Sequence, residues 1–184
     1  PCHDVLADQP GVVWVATDGG GIARVEKKSG RWQFFPPLPD AWATSNLSAN
    51  LIADISRKSD REFWVASLDL GFGIFDVQTR EYRFFSTQSK LLAGQINQSV
   101  NGLYRDPAGL LWVFNYKNGV SLLDPASNVF DYTPLPGAGC QNPMANEPQD
   151  FAWNEPRQEL YVVTAGCQGF YVFQREFRQA PVQL

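Results

Sequence analysis

The chain has 184 residues, of which 44% are apolar and 14% aromatic, and its net charge at pH 7 is −4. This length allows one hydrophobic core, and the acidic balance argues against nucleic-acid binding, which needs a basic patch or stripe. No run of 18 apolar residues occurs, so the sequence predicts no membrane-spanning helix in this chain.

Short strands separated by turns are predicted from the first residues onward. Apolar runs alternate with segments rich in Gly, Pro, Asp and Ser, which is typical of strands joined by tight turns. The first four strands are predicted at residues 4–6, 11–17, 22–26 and 31–35. The turns between them are predicted at residues 7–11, 18–21 and 27–30.

An aromatic anchor returns every 48 to 50 residues and divides the chain into four units. The anchors are Trp14, Trp64, Trp112 and Tyr161. An acidic residue six positions earlier and Gly seven positions later accompany three of the four anchors, and Gly three positions earlier accompanies two; the fourth unit is degenerate toward its end. Each Trp anchor lies in an apolar run, so we expect it to pack in the core rather than bind a ligand.

The repeat predicts an all-β fold of β-propeller blades, with four four-stranded antiparallel units and no helix of useful length. The chain would be a single propeller segment, residues 1–184, forming a partial propeller or half of a ring. The four blades are expected at about residues 1–36, 50–86, 98–133 and 148–180. The sequence starts within a repeat, which we interpret as a fragment or processed product with any targeting segment outside it.

Two segments carry a family resemblance. The sequence DQPGVVWVATDGGG at residues 8–21 and DPAGLLWV at residues 106–113 resemble the two-component regulator propeller repeat, D-x-x-G-x-[LI]-W-[VI]-[GA]-T followed by a Gly-rich turn. The second copy departs from this pattern at Lys58 and Arg61, and the fourth has Tyr161 in place of Trp.

The resemblance implies a periplasmic sensor domain of a membrane histidine kinase, often a hybrid one, or of a diguanylate cyclase. Many members of the kinase group respond to oligosaccharides. The family usually has about seven blades per propeller, so four blades suggest a truncated propeller or two chains that complete one ring. Any kinase activity would lie in a domain outside this chain.

Propeller geometry indicates which loops could bind a ligand. The connections from one blade to the next share a face with the turns between second and third strands, and long loops often carry function. Aromatic planes beside amide groups suit a sugar, although these could equally be ordinary polar loop residues. This face also collects Asn115 and Asn118. The candidate ligand-binding residues are Trp42, Asn46, Asn97, Tyr116, Lys117 and Asn142.

Three cysteines are present, and the same geometry favours a disulfide between two of them. Cys140 precedes the fourth blade and Cys167 lies in its turn between second and third strands, so both are expected on one face. In an oxidising compartment a bond would need their Cα atoms within about 7 Å; two unpaired buried thiols are the alternative. Cys2 would then be free or paired outside the chain.

Three functions remain open from the sequence. The first is a non-catalytic, extracytoplasmic sensor segment that binds a small ligand, with no cofactor and no metal. The second is a scaffold for protein binding, and the third is a propeller lyase or glycosidase, which a clustered carboxylate pair in the channel would favour. Asp69 and Asp150 are the acids noted on one face. Expected partners are the ligand and either the rest of the propeller or a second copy of the chain.

Overall fold

The computed structural model describes residues 1–39, 50–85, 99–116, 119–126, 129–133, 147–165, 169–174 and 182–183. Over these residues the chain forms four antiparallel sheets of four strands each, with neighbouring strands consecutive in sequence. The described residues contain no α-helix, and a 3₁₀ turn lies at Glu155–Arg157. The predicted four four-stranded units are therefore confirmed.

Each sheet is called a blade and numbered in chain order. Blade 1 contains β1 (Cys2–Ala7), β2 (Val12–Thr17), β3 (Gly21–Glu26) and β4 (Arg31–Phe35). Blade 2 contains β5 (Ile52–Arg57), β6 (Glu62–Ser67), β7 (Gly71–Asp76) and β8 (Tyr82–Phe84). Blade 3 contains β9 (Val100–Arg105), β10 (Leu111–Asn115), β11 (Gly119–Asp124) and β12 (Val129–Thr133). Blade 4 contains β13 (Glu147–Asn154), β14 (Glu159–Ala165), β15 (Phe170–Gln174) and β16 (Val182–Gln183).

Consecutive blades pack face to face, and their backbones approach most closely at the first two strands. Strand β1 contacts β5, and β5 contacts β9, so the first strands gather on one side of the stack. Because side chains alternate across a strand, each blade has two faces. We call the face that bears the aromatic anchor the anchor face, and the opposite one the receiving face.

The hydrophobic core is a series of layers between an anchor face and the receiving face of the next blade. Trp14 of blade 1 packs against Phe63 and Phe75 of blade 2, with ring centroids 5.4 and 5.8 Å apart. Trp64 belongs to the layer between blades 2 and 3, and Trp112 to the layer between blades 3 and 4. The three tryptophans are at most 5% exposed. The expectation that they are core residues is confirmed.

The acidic residue six positions before the anchor fixes the indole ring. Trp14 donates its Nε1–H to Asp8 Oδ2 over 3.1 Å, and Trp112 donates to Asp106 Oδ2 over 3.2 Å. Asp106 also accepts the backbone N–H groups of Ala108 and Leu110. The sequence predicted only a turn role for these acids. The same carboxylate in fact closes the turn and satisfies the buried indole donor.

Blade 2 replaces this arrangement where its sequence departs from the repeat. Lys58 takes the acidic position and places its ammonium 5.3 Å from the centre of the Trp64 ring, while it pairs with Glu62. Three residues before the anchor, blade 1 has Gly11, whose φ is +83°. Blade 2 has Arg61 at this position. Ser59 Oγ closes the turn instead by accepting the N–H of Arg61.

The Tyr82 hydroxyl ties blade 2 to blade 1. It donates to Phe35 O over 2.6 Å and accepts the Ile22 N–H over 2.9 Å, and burial raises the pKa of Tyr82. Replacing Tyr82 with Phe keeps the ring but removes both bonds. We expect the free energy of unfolding, measured by urea denaturation, to fall by about 1–3 kcal/mol.

Tyr161→Phe is the matched control for this variant. Within the described residues, the Tyr161 hydroxyl bonds to Asn154 and Glu159, which can turn to water. Its loss should cost less than about 1 kcal/mol. An equal loss in the two variants would contradict the role assigned to Tyr82.

Candidate functional site

The first strands of all four blades begin at the same edge of the stack. In an antiparallel sheet, the start of the first strand, the turn between the second and third strands and the end of the fourth strand share an edge. The connection from each blade to the next therefore also leaves and enters at this edge. We call it the entry edge.

A polar cleft of about 360 Å³ opens at the entry edge, between the starts of the first strands. Most of its lining residues come from β1, β5, β9 and β13, and Phe114 comes from β10. The lining comprises His3, Asp4, Ala53, Asp54, Asn101, Gly102, Phe114, Pro148, Gln149, Asp150 and Phe151. The cleft thus combines three carboxyl groups, two amides and an aromatic floor.

Two aspartates at equivalent repeat positions join the blades beneath the cleft. Asp4 Oδ2 accepts the N–H of Ile55 over 3.1 Å, and Asp54 Oδ2 accepts the N–H of Leu103 over 2.7 Å. Each carboxyl group thus reaches from the first strand of its own blade to the first strand of the next. We call these two contacts the carboxyl staples.

The side chains of Asp4 and Asp54 are also hydrogen-bonded to each other. Burial, the hydrogen bond to Asp4 and the negative charge of Asp4 raise the pKa of Asp54 well above its ordinary value. Asp54 therefore keeps its proton to a higher pH than an ordinary aspartate and donates it to Asp4. Three blades are linked through a single chain of hydrogen bonds.

Blade 3 lacks a staple because its equivalent residue is Gly102. A Cβ at Gly102 would lie 3.2 Å from the Phe114 ring, so a side chain there would crowd that ring, and it would be in ordinary contact with Asp54 Oδ2 at 3.7 Å. Phe114 instead stacks on Phe151 of blade 4, with ring centroids 4.4 Å apart. This aromatic pair replaces the polar link.

Asn101 supplies a polar link between blades 3 and 4. Its Nδ2 donates to Pro148 O over 2.6 Å. Its Oδ1 is buried and has no hydrogen-bond partner among the described residues. A buried acceptor without a donor is costly, and the Asn101 side chain is one of the polar groups that line the cleft.

The paired aspartates are the clustered carboxylates that would favour an enzyme, so their geometry matters. Glycosidase carboxyl groups stand about 5 Å or more apart, with the scissile bond between them. Asp4 and Asp54 are in direct hydrogen-bonding contact, and each also binds a backbone N–H. The third acid, Asp150, accepts the N–H of Phe151.

The described part of the chain includes one of the predicted ligand residues. Tyr116 lies at the entry edge, where its N–H donates to Ser99 O, one residue before β9. Asn115 is fully buried and donates to Ser121 Oγ, so it lies inside the sheet. The other candidates lie outside the described residues: Trp42, Asn46, Asn97, Lys117, Asn118 and Asn142.

The cysteine pairing also stays a prediction. Cys140 and Cys167 lie outside the described residues, and Cys2 is exposed with a free thiol. Within the described ranges, no group of three or more His, Cys, Asp or Glu side chains is placed to hold a metal ion. The same ranges contain no helix that is long and apolar enough to cross a membrane.

Sequence reasoning named Asp150 but missed the other cleft-lining residues of the first strands. The acids Asp4 and Asp54 occur ten positions before their anchors, a spacing that the sequence does show. The signal is confined to two of the four copies. Neither Asn101 nor Gln149 repeats in the other units at its position, so nothing in the sequence distinguished these amides from ordinary strand residues.

No protein-family model matches the sequence, and a search of curated proteins finds no match. Solved structures do match. The extracellular domain of BT3049 from B. thetaiotaomicron, described as a hybrid two-component system, is 14% identical with a TM-score of 0.71; the match covers 97% of this chain and 23% of that one. The extracellular domain of BT4673 from the same organism, described as a one-component or hybrid two-component system, is 18% identical with a TM-score of 0.74, over 99% and 22%.

A third match names the architecture. The WD40 β-propeller domain of Doa1 is 11% identical with a TM-score of 0.66, and the match covers 95% of this chain and 51% of that one. This chain has the β-propeller fold. It spans less than a quarter of the length of the two sensor chains. The solved structures that are similar to this chain include extracellular domains of two-component sensors, in agreement with the resemblance found in the sequence.

Proposed function

We propose that this propeller segment is the extracytoplasmic, ligand-sensing part of a membrane-bound two-component sensor. The observation that carries the proposal is the polar cleft at the entry edge, in a fold shared with extracellular sensor domains. Ligand binding in the cleft would change the relative positions of neighbouring blades. An output domain outside this chain, such as a histidine kinase, would respond to that change. The chain itself would carry out no catalysis.

The cleft supports a small polyhydroxylated ligand, and we propose an oligosaccharide. The Asn101 and Gln149 amides and the Asp150 carboxyl group offer both donors and acceptors within one opening. Sugar hydroxyl groups need such mixed partners, and an aromatic surface such as Phe151 suits the apolar face of a sugar ring. Tyr116 and the predicted loop residues Trp42, Asn46, Asn97, Lys117 and Asn142 would extend this site along the entry edge.

A glycan array followed by titration calorimetry tests this function. We expect at least one oligosaccharide to bind and its Kd to rise about tenfold or more in Gln149→Ala and in Asp150→Asn. Gln9→Ala is the matched control, because Gln9 is also exposed but lies in the turn at the opposite edge. Its Kd should be unchanged.

Two results would contradict the proposal. An equal loss of affinity in Gln149→Ala and Gln9→Ala would show that the ligand does not bind in the cleft. A complete absence of glycan binding, together with capture of a folded protein by the entry edge, would favour the scaffold function instead.

A further inference from the structure

The cleft at the entry edge is lined by carboxyl groups without a basic side chain to balance them. Its acids are Asp4, Asp54 and Asp150, and no lysine or arginine of the described residues belongs to the lining. His3 is the remaining titratable residue there and counts as neutral in the formal charge of the chain at pH 7. While Asp54 holds its proton, the Asp4–Asp54 pair carries one negative charge. The formal charge of Asp150 adds a second.

The surface around the cleft has the same sign of charge. Two further exposed acids, Asp18 and Asp69, lie at the entry edge, in the turns between the second and third strands of blades 1 and 2. The lysine and arginine residues of the described ranges lie instead in the middle of strands or at the opposite edge. A cleft whose walls carry charge of one sign concentrates the field and attracts ligands of the opposite sign.

The acids of the two edges also differ in their partners. The ion pairs of the described residues all lie toward the opposite edge. Arg57 with Asp8 and Arg61 with Asp76 are examples, each with a nitrogen–oxygen distance of 2.7 Å. At the entry edge, Asp150 accepts one N–H through Oδ1, and its Oδ2 has no hydrogen-bond partner in the described part of the chain. This exposed carboxylate therefore has an oxygen that a ligand in the cleft can reach.

We infer that the ligand of this cleft carries a protonated amino group, as an oligosaccharide of hexosamine units with free amines does. The inference rests on the function proposed above and narrows its ligand class. An ammonium group donates three hydrogen bonds and brings the positive charge that the lining lacks. The Asp150 carboxylate and the Gln149 amide oxygen are acceptors within the cleft. A uronic acid or a sulfated sugar would instead place a further negative charge beside these acids, which disfavours its binding.

Calorimetric titration with three β-1,4-linked tetrasaccharides tests the inference. Cellotetraose is uncharged, the glucosamine tetramer has an amine in place of the hydroxyl group at C2, and the glucuronic acid tetramer has a carboxylate at C6. The titrations are run at a pH of about 7, where amines of this kind are still substantially protonated. We expect the Kd of the glucosamine tetramer to be at least about tenfold lower than that of cellotetraose, and the glucuronic acid tetramer not to bind.

Asp150→Asn removes the charge and keeps an acceptor oxygen. It should raise the Kd of the glucosamine tetramer about tenfold, with a smaller effect on cellotetraose. Asp60→Asn is the matched control, because it removes the same charge from an exposed turn at the opposite edge. It should leave both Kd values unchanged. Asp150 and Asp60 are both exposed, so circular dichroism should show the β-sheet fold retained in each variant.

The outcomes separate this inference from the proposed function. Equal affinities for the glucosamine tetramer and cellotetraose, or tighter binding of the glucuronic acid tetramer, would overturn the inference and leave a saccharide-binding cleft in place. An equal effect of Asp150→Asn and Asp60→Asn would overturn it as well. If none of the three tetramers binds, the inference fails, and the proposed function fails with it only if the glycan array also shows no binding.

Discussion

Replacing Trp112 with alanine is expected to lower the free energy of unfolding by about 3–5 kcal/mol. Trp112 is fully buried and contacts Trp153 and Phe173 of blade 4, with ring centroids 6.3 Å apart in both cases. The truncation leaves a cavity between blades 3 and 4. It also removes the indole donor from Asp106, which is itself only 3% exposed.

Two further variants separate these causes by chemical denaturation. Trp112→Phe keeps most of the ring and removes the bond to Asp106, so it should cost about 1–3 kcal/mol. Leu38→Ala truncates a half-exposed apolar side chain and should change stability by less than about 0.5 kcal/mol. If Trp112→Ala cost no more than Leu38→Ala, the layer between blades 3 and 4 would not be a real core.

Asp54→Asn is expected to remove a pH dependence from the stability of the protein. The folded state raises the pKa of Asp54, so its stabilising contribution is complete below the ordinary aspartate pKa of about 4 and is lost as the pH rises through the folded-state value. An asparagine mimics the protonated form, because its Nδ2 can donate to Asp4 while its Oδ1 accepts from Leu103.

The measurement is the difference between the unfolding free energies of variant and wild type from pH 4 to pH 8. This difference should move in favour of the variant as the pH rises. Other groups act in the opposite sense: the Thr79 N–H and Arg61 lower the pKa of Asp76, which adds stability above the ordinary pKa. They cancel in the difference because both proteins contain them.

Asp54→Ala is the control for the staple itself. It removes the acceptor of the Leu103 N–H and the donor to Asp4, so it should cost about 1–3 kcal/mol at low pH, where Asp54→Asn costs little. Parallel pH curves for Asp54→Asn and the wild type would show that Asp54 carries no raised pKa.

The sheets were predictable because their pattern is local and repeated. The apolar run around Trp14, the glycines after it and the aromatic strand ending at Phe35 each carry a short-range signal for strand or turn. Repetition at a period of 48 to 50 residues then separates these signals from chance. The departures at Lys58 and Arg61 did not disturb the fold, because a cation–π contact and a Ser-closed turn substitute locally.

The cleft was less predictable because it depends on contacts between repeats. Asp4 and Asp54 are fifty residues apart, and only the stacking of blades brings their carboxyl groups together. The unpaired Oδ1 of Asn101 is likewise a property of the packed layer and has no sequence signature. Loop composition favoured Trp42 and Tyr116 as ligand-binding residues, whereas the described cleft is built mainly from the first strands of the blades.

Blade 3 has Gly102 where blades 1 and 2 have the aspartates of the carboxyl staples, so the contacts between blades differ in stability along the stack. Separating blade 1 from blade 2, or blade 2 from blade 3, breaks a buried carboxyl–amide contact on the first strands. Between blades 3 and 4, the described contacts near the first strands are instead the Asn101 link to Pro148 and the Phe114–Phe151 stack, beside the aromatic layer around Trp112. Amide protons of β13 should therefore exchange with solvent through smaller openings than those of β5. A molecule bound across Asn101 and Asp150 would slow that exchange, which makes blade 4 the part of the chain whose mobility reports occupancy of the cleft.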